Sequence, residues 1–411
     1  MKTITGESEG MKPSVESLWK PFLKENMLNP YPMYKGLRDT TPIHRARSGE
    51  WIITRYEDAK NILKDDRFKV GNRVDWLSKA SAKHLDKWES FSVIVDALKS
   101  FLVFKNPPQH TLLRKLIMQA WNSREVDQMI QENINELFSK IEISNFDMVS
   151  ELAAPLPAMT MARILGLPTS DYKYLEGLSH EMIQSLDLYL TFRQIEKMED
   201  ATREFIEYFE RHAAEKKSKP DHSLLSRLIE MNEGPGSIPH HELIANCFFL
   251  FISGEETTAG LIELGFYHLI THGKLTIDLK HPDSRSVATE ELLRYDSPLQ
   301  IVVRVANENV AIDDFMIEAG NPVTICLGAA NRDPNKFEMP DQLNLNRTPN
   351  HHVSFGSGIH RCLGDWLAKK EFDMLVAHTV NELSAMKIMS EPIWKENLSM
   401  RNFESFRVSC S

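Results

Sequence analysis

Apolar positions recur at helical spacing along most of the chain. After the paired prolines Pro107 and Pro108, which suit a helix start, Leu112, Leu113, Leu116 and Ile117 follow at intervals that keep them on one face. The same periodicity predicts helices over 125–141, 152–165, 172–190, 195–216 and 365–383. The longest candidate, 239–269, opens on a proline and closes before Gly273. Strand-like runs are fewer. Residues 42–45 and 51–54 predict a small hairpin, and 301–305, 310–312 and 322–326 predict further strands. The expected class is mainly α with a minor β part, its strands divided between the two ends of the chain.

Composition narrows this picture. With 411 residues, 42% of them hydrophobic, the chain can build a large core. It carries no internal repeat or low-complexity tract, so one domain over 15–411 is expected, preceded by a mobile polar tail at 1–14. A net charge of -10 argues against nucleic acid or an anionic membrane as the main partner, since both need a basic footprint. No membrane anchor is expected either: the first twenty residues lack an apolar centre, and the longest apolar run, 247–252, is too short to span a bilayer. Cys247, Cys326, Cys362 and Cys410 form no C-x-x-C pair, which argues against a disulfide framework or zinc ribbon and for a reducing cytoplasm.

Candidate chemistry gathers in a few short stretches. In FGSGIHRCLG (355–364), Gly356 and Gly358 permit positive-φ turns, and Cys362 stands just before a predicted helix N-terminus. Loop amides and the helix dipole there favour a thiolate, the form that binds metal. A cysteine by itself is more often a small core residue. Within the longest helix, SGEETT (253–258) sets a glycine and two acids beside an apolar run, which costs helix stability and places charge near the core. His110 and Arg114 lie four apart on one helical face, and Glu291 and Arg294 lie three apart, where they can pair.

Together these stretches resemble one family. FGSGIHRCLG matches every named position of the haem-binding signature of the cytochrome P-450 superfamily, F-G-x-G-x-H-x-C-x-G. Glu291-Leu-Leu-Arg294 resembles its E-x-x-R, and PDQLNLNR (340–347) its P-D-x-F-x-x-x-R, with Leu343 in place of phenylalanine. NPPQHTLLR (106–114) is similar to the D-P-P-x-H-x-x-x-R pattern. The resemblance runs from about Pro30 to the C-terminus in family order. It implies the family fold, a long central helix over the haem with a cysteine-ligand loop beneath it.

By this resemblance Cys362 is the metal ligand and haem b the cofactor, with Phe355 and Gly356 beside it. His110, Arg114, Arg304 and His360 would bind the haem propionates, a task that suits cations because a carboxylate accepts charge-assisted bonds. Glu256 and Thr257 would be the catalytic acid and alcohol that deliver protons during oxygen activation. Glu291, Arg294 and Arg347 would support the loop. Trp76, Trp88, Phe249, Ser253, Gln300 and Ile301 are the candidate substrate-pocket residues, and polar members such as Gln300 and His84 would orient an oxygenated molecule. The segment between His268 and Glu291 is shorter than the resemblance leads one to expect.

The implied reaction inserts one atom of O2 into a C–H bond of a small organic substrate. With no reductase segment in the chain, a separate ferredoxin and ferredoxin reductase are the expected electron donors, docking behind Cys362 near Lys115, Lys369 and Lys370. A methoxylated substrate, such as a methylated sugar, would undergo oxidative O-demethylation with release of formaldehyde; otherwise the outcome is hydroxylation. A peroxide-driven peroxygenase and a non-enzymatic haem sensor or carrier remain as alternatives.

Overall fold

A computed structural model describes residues 18–71, 91–122, 124–186, 190–234, 236–272 and 278–410. The expected tail at 1–14 and the pocket candidates Trp76, His84 and Trp88 lie outside these residues. Helices dominate, as the apolar periodicity predicts. Seven that bear on the site are numbered in chain order: α1 (Tyr56–Lys64), α2 (Gln109–Ala120), α3 (Pro155–Leu165), α4 (Tyr172–Ile183), α5 (His240–Thr271), α6 (Pro282–Tyr295) and α7 (Asp365–Thr379).

The central helix α5 is apolar on nearly every face and is buried accordingly, with Phe248, Phe251, Ile262 and Phe266 fully enclosed. Around it pack α3, α4, α6 and α7. Close approach to α3 depends on Gly254, where a Cβ would come within 2.7 Å of Met161 Sδ. The predicted 152–165 helix divides in two. A π turn at Val149–Ala153 precedes α3, which restarts at Pro155, a residue suited to the first helical position. Helix α4 ends at Ile183, short of the expected 190, and passes into a 3-10 turn at Gln184–Leu186.

The predicted hairpin forms: β1 (Ile43–Arg45) pairs antiparallel with β2 (Trp51–Ile53). With β3 (Phe68–Lys69), β4 (Ile301–Ala306) and β5 (Pro322–Cys326) it makes one five-stranded sheet in the order β1-β2-β5-β4-β3. The strands divided between the chain ends therefore meet in one layer, where β2 runs parallel to β5. Short strands near the C-terminus, Phe403–Ser405 and Arg407–Cys410 among them, fall below the length at which alternation is readable and were not predicted. Among the described residues, no helix is long and apolar enough to cross a membrane.

Candidate functional site

Cys362 sits at the floor of a cavity between α5 and the loop leading into α7. Local backbone chemistry fixes that loop. Gly356 and Gly358 have φ of 69° and 73°, as expected from their place in the sequence. At Gly358 a Cβ would also meet Leu63 O at 2.4 Å, so only glycine lets the loop lie against the end of α1. Cys362 N–H donates to Phe355 O at 2.9 Å, closing the loop on itself.

Behind the loop is an ion-pair network with the fully buried Glu291 and Arg294 at its centre. Arg294 reaches Glu291 through Nε at 2.7 Å and through Nη2 at 2.9 Å. Arg347 Nε donates to the same carboxylate at 2.9 Å, so the network forms although Leu343 replaces the usual phenylalanine. Arg294 Nη1 also donates to the Asn331 and Pro340 carbonyls. Asn331 in turn holds Val353 N–H and Ser354 Oγ, the residues entering the loop. Glu291, Arg294 and Arg347 thus lie together, tied to the backbone on which Phe355 and Cys362 sit.

His110, Arg114, Arg304 and His360 line the same cavity. The His110 and His360 rings lie 4.3 Å apart between centroids. Among the described residues no carboxylate pairs with Arg114 or Arg304. The Arg304 guanidinium donates only to its neighbour's carbonyl, Val303 O, and burial pulls its pKa down to about 10. His110 Nε2 is buried without a partner. Burial, then the Arg304 charge, lowers His360 to about 3. Such a concentration of donors with no acid to answer them calls for an anion from outside the chain.

Burial and the Asp365 charge raise the Cys362 pKa, while the Gly364 N–H, Arg114 and Arg361 act in the opposite direction. A coordinated metal ion would favour the deprotonated form. A haem fits these residues: iron at Cys362, and two propionates among His110, Arg114, Arg304 and His360.

On the opposite side Phe249, Ser253 and Thr257 line the cavity at intervals of four, as their helical spacing predicts. Thr257 Oγ1 donates to Ser253 O at 3.0 Å. Glu256 does not line the cavity. It is buried on the flank of α5, with Oε1 3.3 Å from His180 Nδ1 on α4. Burial would raise its pKa, but His180 and Lys395 outweigh that and hold it below the ordinary range.

Two pocket assignments are corrected. Gln300 and Ile301 do not line the cavity, whereas their neighbours Leu299 and Val302 do. Gln300 is turned into the protein, with Nε2 donating to Ser297 O at 2.7 Å and to the Tyr31 hydroxyl. Ile301 packs with Met33, Tyr34 and Leu37. Within β4 alternation explains Ile301, since Val302 and Arg304 face the cavity and Ile301 leaves the opposite face; Gln300 precedes the strand, and its hydrogen bonds turn it inward. The expected cationic docking face is also reduced: Lys369 pairs with Glu290 at 2.9 Å and Lys370 with Asp127 at 2.8 Å.

Some lining residues gave no signal in the sequence. Met161 reaches the cavity from α3, and Trp121 from the end of α2 with its Nε1 buried and unpartnered. Both are ordinary apolar residues in a helical pattern until the fold brings them to the wall.

Comparison with known proteins agrees with this arrangement. The family model described as Cytochrome P450 matches residues 47–281 and 287–401. The polyketide biosynthesis cytochrome P450 PksS of Bacillus subtilis is 32% identical, over 96% of this chain and 99% of that one. A biotin biosynthesis cytochrome P450 of the same organism is 31% identical, over 89% of this chain and 91% of its own. The crystal structure of P450BioI in complex with hexadec-9Z-enoic acid ligated acyl carrier protein superposes with a TM-score of 0.87 at 30% identity, covering 94% of this chain and 99% of that one. The chain belongs to the cytochrome P450 family, and like its relatives it is a haem-iron monooxygenase.

Proposed function

We propose that this protein inserts one oxygen atom of O2 into a C–H bond of an elongated, lipophilic substrate, using haem b held by Cys362 and electrons from a separate ferredoxin and its reductase. The observation that carries the substrate class is the cavity wall opposite Cys362. Phe249, Leu250, Met182, Ile183, Leu299 and Val302 make it almost wholly apolar. A wall of this kind binds a hydrocarbon chain and excludes water, and it offers few partners to the hydroxyls of a sugar. Hydroxylation is therefore favoured over O-demethylation of a methylated sugar.

Bound haem iron would supply reductive activation of dioxygen, a chemistry that no side chain has. The protein's part is positional and protonic. Arg114 and Arg304 would neutralise the propionates, and His110 and His360 would donate hydrogen bonds to them, so that together the four fix the macrocycle's orientation. The Glu291–Arg294–Arg347 network holds the loop that carries Cys362. Thr257 faces the cavity from α5; a rotation would free its Oγ1 from Ser253 O to pass on a proton. Glu256 is the acid behind it. His180, about half exposed, links Glu256 to solvent, so protons can reach the site without opening it to bulk water.

A second reading keeps the chemistry and changes how the chain is presented. The acyl carrier protein in the P450BioI complex favours a substrate tethered to such a carrier. One titration tests both. Purified holoprotein is expected to shift its Soret band toward the high-spin form with hexadec-9-enoic acid, either free or linked to acyl carrier protein. A shift with methylated sugars, formaldehyde on turnover and no response to long chains would overturn the lipophile assignment.

A further inference from the structure

A second buried acid stands beside Glu256, and the oxygen chemistry described above leaves it unused. Glu255 and Glu256 are consecutive on α5, and consecutive residues of α4 hold them. Ser179 Oγ donates to Glu255 Oε2 at 2.8 Å, and His180 Nδ1 lies 3.3 Å from Glu256 Oε1. The two contacts differ in what surrounds them. Ser179 is fully buried and Glu255 only 2% exposed, whereas the His180 side chain is 53% exposed. Glu176 on α4, Glu256 on α5 and Lys395 of the C-terminal segment are the charged groups acting on Glu255. Two of these three are acids. Among the described residues its hydrogen-bond donor is a neutral hydroxyl, while Glu256 has an imidazole. The Glu256 charge acts on the buried Glu255 carboxyl, and of two interacting acids the proton goes to the one with the poorer company.

We infer that Glu255 is a positioning acid of the proton relay: a neutral carboxylic acid, latched to α4 by Ser179, that leaves Glu256 as the only anion of the pair. Burial drives the Glu255 carboxyl well above its ordinary range, and Glu256 adds to the push against the opposing Ser179 bond. The consequence falls on Glu256. A second negative charge at 255 would make Glu256 bind its proton more tightly and yield it more slowly toward Thr257. As pH rises through the Glu255 titration, that second charge appears and the relay slows. The inference rests on the reading of Glu256 and Thr257 as the relay.

Infrared spectroscopy of the substrate-free holoenzyme tests the protonation directly. The wild-type minus Glu255→Gln difference spectrum at pH 7 is expected to contain a protonated-carboxyl C=O stretch that the variant lacks and that Ser179→Ala shifts. Gln keeps the shape and still accepts the Ser179 hydroxyl, so the fold is retained. Lack of that band would mean an ionised Glu255 and overturn the inference. The second arm is the pH profile of hydrogen peroxide released per dioxygen consumed, with electrons from a surrogate bacterial ferredoxin and its reductase. The wild-type ratio is expected to rise several-fold as pH rises through the titration, while Glu255→Gln, neutral at every pH, stays flat. Parallel profiles would remove the positioning role. A Thr257→Ala holoenzyme that released no more peroxide than the wild type would sink the relay reading instead, and the infrared arm would still decide the state of Glu255.

Discussion

The two walls of the cavity are made of different materials. The wall around Cys362 consists of loop backbone, glycines and buried charge, with Arg304 and His110 left unanswered by any acid among the described residues. The wall around Phe249 consists of helix faces rich in apolar side chains, where the Ser253 hydroxyl is turned back on Leu250 O. One wall is unfinished without a charged, metal-bearing guest. The other needs only something apolar to displace water. This division teaches where specificity lies: the cofactor is selected by charge and geometry, the substrate by shape and hydrophobicity.

The largest effect should come from the centre of the charged wall. Cys362→Ser is expected to abolish the red-shifted thiolate band of the reduced carbon monoxide complex and all dioxygen-dependent turnover. A variant that kept the band would break the comparison at its root. Next comes the network behind the loop. Glu291→Ala leaves the Arg294 and Arg347 guanidinium groups facing a hole, and removing one partner of a buried pair costs about 3–5 kcal/mol. Denaturant unfolding of the apo- and holoprotein should report that loss in both.

The charged wall was also the more legible of the two in the sequence, for a physical reason. Thiolate loop, propionate helix and E-x-x-R are local constructions, in which residues a few positions apart must meet; spacing therefore encodes contact. Phe249, Ser253 and Thr257 were legible on the same ground, being one face of one helix. Met161 comes from a separate element, and nothing in its own neighbourhood distinguishes a cavity-facing apolar residue from a core one. Gln300 and Ile301 failed for different reasons: Ile301 leaves β4 on the face away from Val302 and Arg304, and Gln300 precedes the strand, where its direction depends on Ser297 and Tyr31. Glu255 drew no separate role beside Glu256 because burial, which tells the two acids apart, depends on where α4 lies.

Thr257 joins the two walls functionally. Thr257→Ala is expected to keep the carbon monoxide spectrum and substrate-induced Soret shift, while the oxygenated product falls by about a hundredfold, on the scale of one lost acid–base group, and hydrogen peroxide takes up the electrons. Product analysis against NAD(P)H consumed reads this directly. Unchanged coupling would remove the proton role. Efficient peroxide-driven turnover that survived the substitution would revive the peroxygenase alternative. Arg304→Gln follows on the charged side. Losing one charge-assisted bond to a propionate costs about 1.5–3 kcal/mol, or roughly ten- to a hundredfold faster haem transfer to an acceptor such as apomyoglobin.

The smallest effects separate the two kinds of side chain on the apolar wall. Phe249 stacks on Phe101 at 4.8 Å between centroids and offers the cavity a broad apolar face. Truncation by Phe249→Ala should weaken binding of a long-chain probe by about 1–2 kcal/mol, a reduced share of what full burial of such a side chain contributes. Ser253 lies on the same face one turn further on, yet its hydroxyl is already bonded within the helix at 3.3 Å. Ser253→Ala should therefore change the same affinity by less than about 0.5 kcal/mol. Soret titrations of both variants with hexadec-9-enoic acid measure the contrast. If Ser253→Ala proved the costlier change, the substrate would be held by a polar anchor, and the apolar wall would be scaffold rather than recognition surface.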